Sequence, residues 1–174
     1  VRAFKDPLVQ HVDGDLDPLR DIETVKTELL MKDLETVEKA LTKIEKKDDP
    51  LSQKKTELLR KLKAKISQET TVKEIDLTQE EKEMIKEFQL LTEKPIVFVL
   101  NTGRENIITG DQTIDFLKIN LKLEEEVTEF SHQELEELEI KKFLPQLILA
   151  CYQILELITF YTIAGGQEAR AWTL

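Results

Sequence analysis

From Ile22 onward, apolar residues recur at steps of three and four: Ile22, Val25, Leu29, Leu30, Leu34, Val37, Leu41 and Ile44. At 3.6 residues per turn these positions share one narrow face, so the spacing predicts an amphipathic helix, with Asp21 able to cap its start. Lys46-Lys47-Asp48-Asp49 reads as a turn. Asp49 followed by Pro50 is a capping side chain plus a first-turn proline, whose missing N–H costs nothing there, and the pair opens a second helix. Its stripe of Leu51, Leu58, Leu59, Leu62 and Ile66 is thinner. Two such stripes joined by a short polar turn predict an antiparallel helical hairpin. So thin a stripe buries little, and the hairpin is expected to lean on a neighbour.

Thr78-Gln79-Glu80-Glu81 has the form of a capping box. It opens a helix carrying Met84, Ile85 and Phe88 that is expected to end near Leu91, before Lys94-Pro95 stops helical structure. Ile96-Val97-Phe98-Val99-Leu100 then reads as a strand buried on both faces, the kind found in helix-covered parallel sheets. Asn101 stands at its carboxyl end, followed by Gly103 and a polar loop, and in open α/β sheets this is where ligands bind. A second short strand is expected at Ile114 to Asn120. The interval between the two is barely long enough for a crossover helix, so either the crossover is trimmed or the sheet is irregular here.

Residues 143–158 form a strongly apolar helix, through Leu144, Leu147, Ile148, Ala150, Cys151, Ile154, Leu155 and Ile158. Thr159-Phe160-Tyr161-Thr162-Ile163, a turn at Gly165-Gly166, and Ala169 to Leu174 read as a hairpin. Its last strand is expected to pair with something outside the chain. At the other end, Val1 to Phe4 reads as the end of a strand. Pro7, Gly14 and Pro18 mark the following segment as turn and loop.

Composition narrows the function classes. Of 174 residues, 40% are hydrophobic and 34% charged, enough for a core and too apolar for a disordered chain. The single cysteine, Cys151, cannot form an internal disulfide, which fits a reducing cytoplasmic setting; on its apolar helix face it reads as a packing residue. No run approaches the ~20 apolar residues of a membrane span, and the best stretch is broken by Pro145, Gln146, Gln153 and Glu156. The first residues lack the apolar core of a signal peptide. Neither secretion nor membrane insertion is expected.

A net charge of −10 weighs against bulk nucleic-acid binding. The charge is uneven, however. Lys43, Lys46, Lys47, Lys54, Lys55, Arg60, Lys61, Lys63 and Lys65 make one stretch basic; Glu124, Glu125, Glu126, Glu129, Glu134, Glu136, Glu137 and Glu139 make a later one acidic. Both read first as solvated helix faces. Asp13, Asp15 and Asp17 resemble the opening of a calcium loop, but no glycine or distal glutamate falls where an EF-hand needs it. Neither His11 nor His132 has a partner at zinc-ligand spacing, and no metal site is expected.

Six stretches, in order and at fair spacing, resemble the Obg-like ATPase family, the YchF subgroup of P-loop translation-factor-related NTPases. They are Val1-Arg2-Ala3-Phe4, His11-Val12-Asp13-Gly14, Asp17-Pro18-Leu19-Arg20-Asp21-Ile22-Glu23, and Thr27-Glu28-Leu29-Leu30 with Asp33-Leu34. The remaining two are Leu90-Leu91-Thr92-Glu93-Lys94-Pro95 and Phe160-Tyr161-Thr162 with Glu168-Ala169-Arg170-Ala171-Trp172-Thr173. The resemblance implies an α/β fold, mostly helical here. Part of a P-loop NTPase parallel sheet would be interrupted by an antiparallel, coiled-coil-like helical insertion and followed by the start of a β-rich TGS domain. The boundaries it implies are 1–20 for a nucleotide-domain strand and loop, 21–92 for the insertion, 93–158 for the last part of the nucleotide domain, and 159–174 for the TGS hairpin. The chain then resembles an internal piece of a longer protein.

The resemblance also implies a purine nucleotide, ATP or GTP, with a cytoplasmic protein that associates with the ribosome or RNA. No Gly-x-x-x-x-Gly-Lys-Ser/Thr occurs, and five glycines leave no room for one. Without that loop no nest of N–H groups cradles phosphates, and the family's magnesium motifs are also missing, so this chain alone is not expected to hydrolyse nucleotide. What it retains is the base-recognition end. Asn101-Thr102-Gly103-Arg104 stands where the family has Asn-x-x-Glu, with Glu105 one place late. An Asn amide can pair with a purine N7 and its exocyclic group together, the geometry by which Asn reads adenine. Nothing at Arg104 can accept from guanine N1.

Asn120-Leu121-Lys122 stands where the family has a loop packing on the base, so Asn101, Thr102 and Lys122 are the expected nucleotide residues. Taken alone, Asn101 also reads as a strand cap and Lys122 as a solvated lysine. Lys54, Lys55 and Lys61 are the expected RNA contacts. A second function class stays open: a non-enzymatic helical adaptor that docks a partner through its apolar stripe.

Overall fold

In a computed structural model of the chain, which describes all residues except 7, 12–13, 46–48, 104–115, 139, 141 and 165–167, the polypeptide divides into two units. Residues 19–95 form one; residues 1–18 and 96–174 form the other.

The helical unit is built on α1 (Pro18–Ile44) and α2 (Pro50–Ile66). Helix α1 starts four residues earlier than its apolar spacing predicts, because the fixed φ of proline suits a first helical turn. Asp21 therefore lies inside that turn, facing the positive end of the helix dipole, and is not the cap. Asp49 does cap α2, accepting from the Ser52 N–H at 3.0 Å and the Ser52 hydroxyl at 2.6 Å. The turn expected at Lys46-Lys47-Asp48 lies outside the described residues. Ion pairs Glu45–Arg60 and Glu38–Lys63, both 2.8 Å, set the two helices antiparallel, since one series of numbers falls as the other rises.

The neighbour on which this hairpin leans is its own continuation. Leu30, Val37 and Leu41 from α1 and Leu58, Leu59, Leu62 and Ile66 from α2 share one core with Val72, Ile75, Leu77, Ile85 and Leu90. Helix α3 (Gln79–Ile85) opens on the Thr78–Glu81 capping box. It ends earlier than expected, passing into a 3₁₀ turn at Lys86–Phe88 and stopping at Gln89, whose φ of 52° no right-handed helix allows.

Asp33, with 1% of its surface exposed, fastens the end of this segment. Its carboxylate accepts from the Leu91 N–H, the Thr92 N–H and the Thr92 hydroxyl, each at 2.7 Å. Thr92 in turn accepts from the Val72 N–H at 3.0 Å through its hydroxyl and from the Lys73 N–H at 3.1 Å through its carbonyl. The motif residues Asp33 and Thr92 are thus one buried polar network.

In the other unit, β1 (Arg2–Ala3), β2 (Phe98–Thr102) and β3 (Phe116–Ile119) form a parallel sheet with β2 central. Arg2 lies opposite Asn101, and Asn101 opposite Ile119. The strand begins two residues later than the apolar run and takes in Asn101 and Thr102. Of the five apolar residues only Leu100 is fully buried, and Ile96, ahead of the ladder, is 41% exposed. The expected burial on both faces therefore holds at Leu100 alone. The crossover and the first residues of the second strand lie outside the described residues.

Helices α4 (Leu121–Glu126), α5 (His132–Glu137) and α6 (Leu144–Ile154) follow. Helix α6 ends four residues short of the expected Ile158, with Glu156 at φ 53°, and none of its residues is fully buried. Strands β4 (Thr159–Ala164) and β5 (Glu168–Thr173) make the hairpin, with Phe160 opposite Trp172 and the indole N–H donating to the Thr162 hydroxyl at 2.9 Å. The turn at Gly165-Gly166 lies outside the described residues. Among the described residues no helix is long and apolar enough to cross a membrane.

The Asp33 network sets a measurable stability. Replacing Asp33 by Ala leaves two N–H groups and a hydroxyl without their acceptor, and should cost about 3 kcal/mol in urea unfolding. A loss below about 1 kcal/mol would mean that the network is dispensable.

Candidate functional site

The carboxyl ends of three parallel strands converge on a cleft of about 560 Å³. Phe4, Lys5 and Asp6 follow β1, Asn101, Thr102 and Gly103 close β2, and Asn120, Lys122, Leu123 and Glu126 follow β3. Parallel strands all present the same end to one side, so loops from distant parts of the sequence meet there.

Two asparagines build its floor. The Asn101 side-chain oxygen accepts from the Leu121 N–H at 3.2 Å, which ties the end of β2 to the first residue of α4. Asn120 caps that helix, its side-chain oxygen accepting from the Leu123 N–H at 3.0 Å. Glu124, one turn on, accepts from the Phe143 N–H, which anchors α4 to the segment leading into α6. The beginning of α4, and Lys122 with it, is therefore held by side chains rather than by helix length.

The wall after β1 is held differently. Arg2 donates from Nε to the Phe4 carbonyl at 3.0 Å, from Nη1 to the Val9 carbonyl at 2.8 Å, and from Nη2 to the Asp6 carbonyl at 3.5 Å. Its guanidinium also lies over the Phe4 ring, 4.9 Å from the centroid. Gly103 gives Phe4 its room: a Cβ there would stand 3.1 Å from the Phe4 Cβ.

The three residues expected to bind nucleotide, Asn101, Thr102 and Lys122, thus line one cleft, while Arg104 and Glu105 lie outside the described residues. Phe4, Lys5, Asp6 and Glu126 join them without having been expected at the site, and so does Asn120, of whose loop only Lys122 was taken as a nucleotide residue. Asn120 carried a legible signal, an Asn directly before a helix. Phe4 carried none, because residues 4 and 101 meet only through strand pairing.

Lys54, Lys55 and Lys61 lie on α2 in the other unit, and each holds a carboxylate. Lys54 pairs with Glu80 at 3.1 Å, Lys55 with Glu87, and Lys61 with Glu81 at 2.9 Å while also donating to the Asp76 carbonyl at 3.1 Å. Lys46 and Lys47 lie outside the described residues. The Thr78 backbone N–H and Lys61 hold the Glu81 carboxyl below the usual carboxylate range. The unit as a whole is nearly balanced, with 17 basic and 18 acidic residues against 8 and 17 in the rest of the chain. Among the described residues no three His, Cys, Asp or Glu side chains gather as a metal site.

Comparison with known proteins agrees with a helical chain that carries a parallel sheet. No family model matches the chain. It is 38% identical over 195 residues to the ribosome-binding ATPase YchF of Bacillus subtilis, covering 99% of this chain and 53% of that protein. It is 33% identical over 205 residues to Obg-like ATPase 1 of Saccharomyces cerevisiae, covering 100% and 51%. The solved structure of the Schizosaccharomyces pombe YchF GTPase superposes with a TM-score of 0.82 at 28% identity, again covering all of this chain and 53% of that one. The chain spans about half the length of the curated relatives it matches.

The Glu81 shift gives a pH dependence of known sign. Its carboxyl titrates lower when folded than the ordinary 4.5 it regains on unfolding. The stabilisation is therefore complete above 4.5 and is lost as pH falls through the lower, folded value. Near neutrality Glu81→Gln should be less stable than the parent chain, and the difference should shrink as pH falls below 4.5, so that acid unfolding of the variant shows the weaker pH dependence.

Proposed function

The chain belongs to the YchF and Obg-like ATPase family, and we propose that the cleft at the ends of β1, β2 and β3 receives the purine base of ATP or GTP. The observation that carries this reading is the place of Asn101. It stands on the central strand, lines the cleft, and has its side-chain oxygen oriented by the Leu121 N–H. An amide held in this way presents a donor and an acceptor edge at a fixed angle, as two-point reading of a purine requires.

Thr102 continues the same wall, and the aliphatic stem of Lys122 offers an apolar surface to the edge of the ring. Phe4 supplies an aromatic face. The residues present fit the base and not the triphosphate: this sequence holds no glycine-rich loop, and hydrolysis by the whole protein draws its phosphate and magnesium contacts from elsewhere.

The ribosome-binding activity named for the Bacillus subtilis relative is proposed for the helical unit of this chain. The cleft-bearing unit is strongly acidic and would repel phosphates, whereas the helical unit is nearly neutral and carries Lys54, Lys55 and Lys61 on one helix. Contact with RNA then means exchanging Glu80, Glu87 and Glu81 for backbone phosphates. Such a contact is weakened by salt and by the competing carboxylates alike.

Two experiments test these readings. Adding ATP or GTP to the isotope-labelled chain should shift the Asn101 side-chain amide and the Thr102 and Leu121 backbone resonances, and Asn101→Ala should weaken binding about tenfold. Shifts that spare these residues, or an affinity indifferent to Asn101→Ala, would refute the base site. Neutralising the partners of the three lysines by Glu80→Gln, Glu81→Gln and Glu87→Gln together should tighten ribosome co-sedimentation and steepen its salt dependence. Unchanged sedimentation would remove α2 as the contact.

A further inference from the structure

The geometry points to Arg2 as a positioning residue for base binding, one that sets affinity without touching the nucleotide; this rests on the purine reading above. The loop after β1 has little apolar packing of its own: Leu8 is 93% exposed and Val9 49%. What orders it is polar. One guanidinium collects the carbonyls of Phe4, Asp6 and Val9 and lies over the Phe4 ring. Only a planar fork of several donors can satisfy three carbonyls and stack on an aromatic face together; a lysine ammonium is a point charge on a flexible stem and cannot.

Phe4 is thereby held from both sides. Arg2 lies over its ring, and the backbone at Gly103 closes on its Cβ, where one added methyl would stand at 3.1 Å. Phe4 is the one aromatic residue among those lining the cleft, which Asn101 lines as well. Stacking on a ring is strong only when the ring is already in place, because a mobile ring must be ordered at the moment of binding. Arg2 provides that order in advance. Its stacking on Phe4 explains why an arginine stands here, and on this proposal the effect of changing it passes through Phe4.

The test is a double-mutant cycle on the labelled chain with ATP as the probe, reading affinity from the resonance shifts and fold from the unperturbed spectrum. Arg2→Lys should weaken ATP binding about fivefold in the parent chain. In a Phe4→Leu background, where there is no ring to hold, the same change should have no further effect. Gly103→Ala, which displaces Phe4 from the opposite side and leaves Arg2 in place, should also weaken ATP binding with the fold intact; an affinity that ignores this change would overturn the role of Phe4. An unchanged affinity in Arg2→Lys, or an equal loss in both backgrounds, would overturn the role of Arg2. If the parent chain shows no ATP-dependent shifts at Asn101 or Phe4, the purine reading falls and this inference with it. If the parent binds and only the cycle fails, the base site stands without Arg2.

Discussion

A parallel ladder cannot be closed by a tight turn, because the chain must return to the end where it began before it can run alongside itself again. Strand β1 pairs in parallel with β2 although residues 4–97 lie between them. That pairing is the constraint on which the rest of the molecule depends. It requires a long excursion, and the excursion is long enough to fold as a unit with its own core. It also brings Arg2, Ala3 and the loop after them beside Asn101 and Thr102, which makes a cleft out of segments that are remote in sequence.

The helical unit illustrates how a thin amphipathic hairpin becomes stable. Two antiparallel helices with one narrow stripe each leave half of that stripe uncovered. Val72, Ile75, Leu77, Ile85 and Leu90 cover it, and they arrive on turns and the short helix α3 rather than on a third long helix. Turns of this kind have backbone groups with no partner in regular structure. The Asp33 carboxylate and the Thr92 hydroxyl satisfy several of them where water does not reach. Hydrophobic cover and buried polar satisfaction are thus one device: each holds the segment that makes the other possible.

Electrostatics divides the two units more sharply than composition does. The acidic excess sits almost entirely with the parallel sheet, while the helical unit balances its charge by pairing α2 with α1 and α3. A run of lysines is therefore not a run of available cations. Exposed ion pairs are worth little to stability, and their carboxylates can give way to a stronger anion at small cost. That property suits a surface that meets phosphate only when a partner is present.

The amino-acid sequence by itself determined the elements whose causes are local. Period, caps and breakers marked both long helices, the capping box at Thr78, the strand before Asn101 and the terminal hairpin, because each depends on residues within a few positions of one another. Asn101 was legible for the same reason, as the residue at a strand's carboxyl end, whereas Thr102 and Lys122 were reached through the family resemblance and not through local pattern. Tertiary structure decided the rest. Phe4 became part of the cleft, and Arg2 its neighbour, only through β1–β2 pairing, Asp33 became an acceptor only when Thr92 folded back on it, and the α2 lysines acquired partners from α3. Apolar periodicity says which face is buried but not against what, and no spacing rule reports which distant residue completes a hydrogen bond.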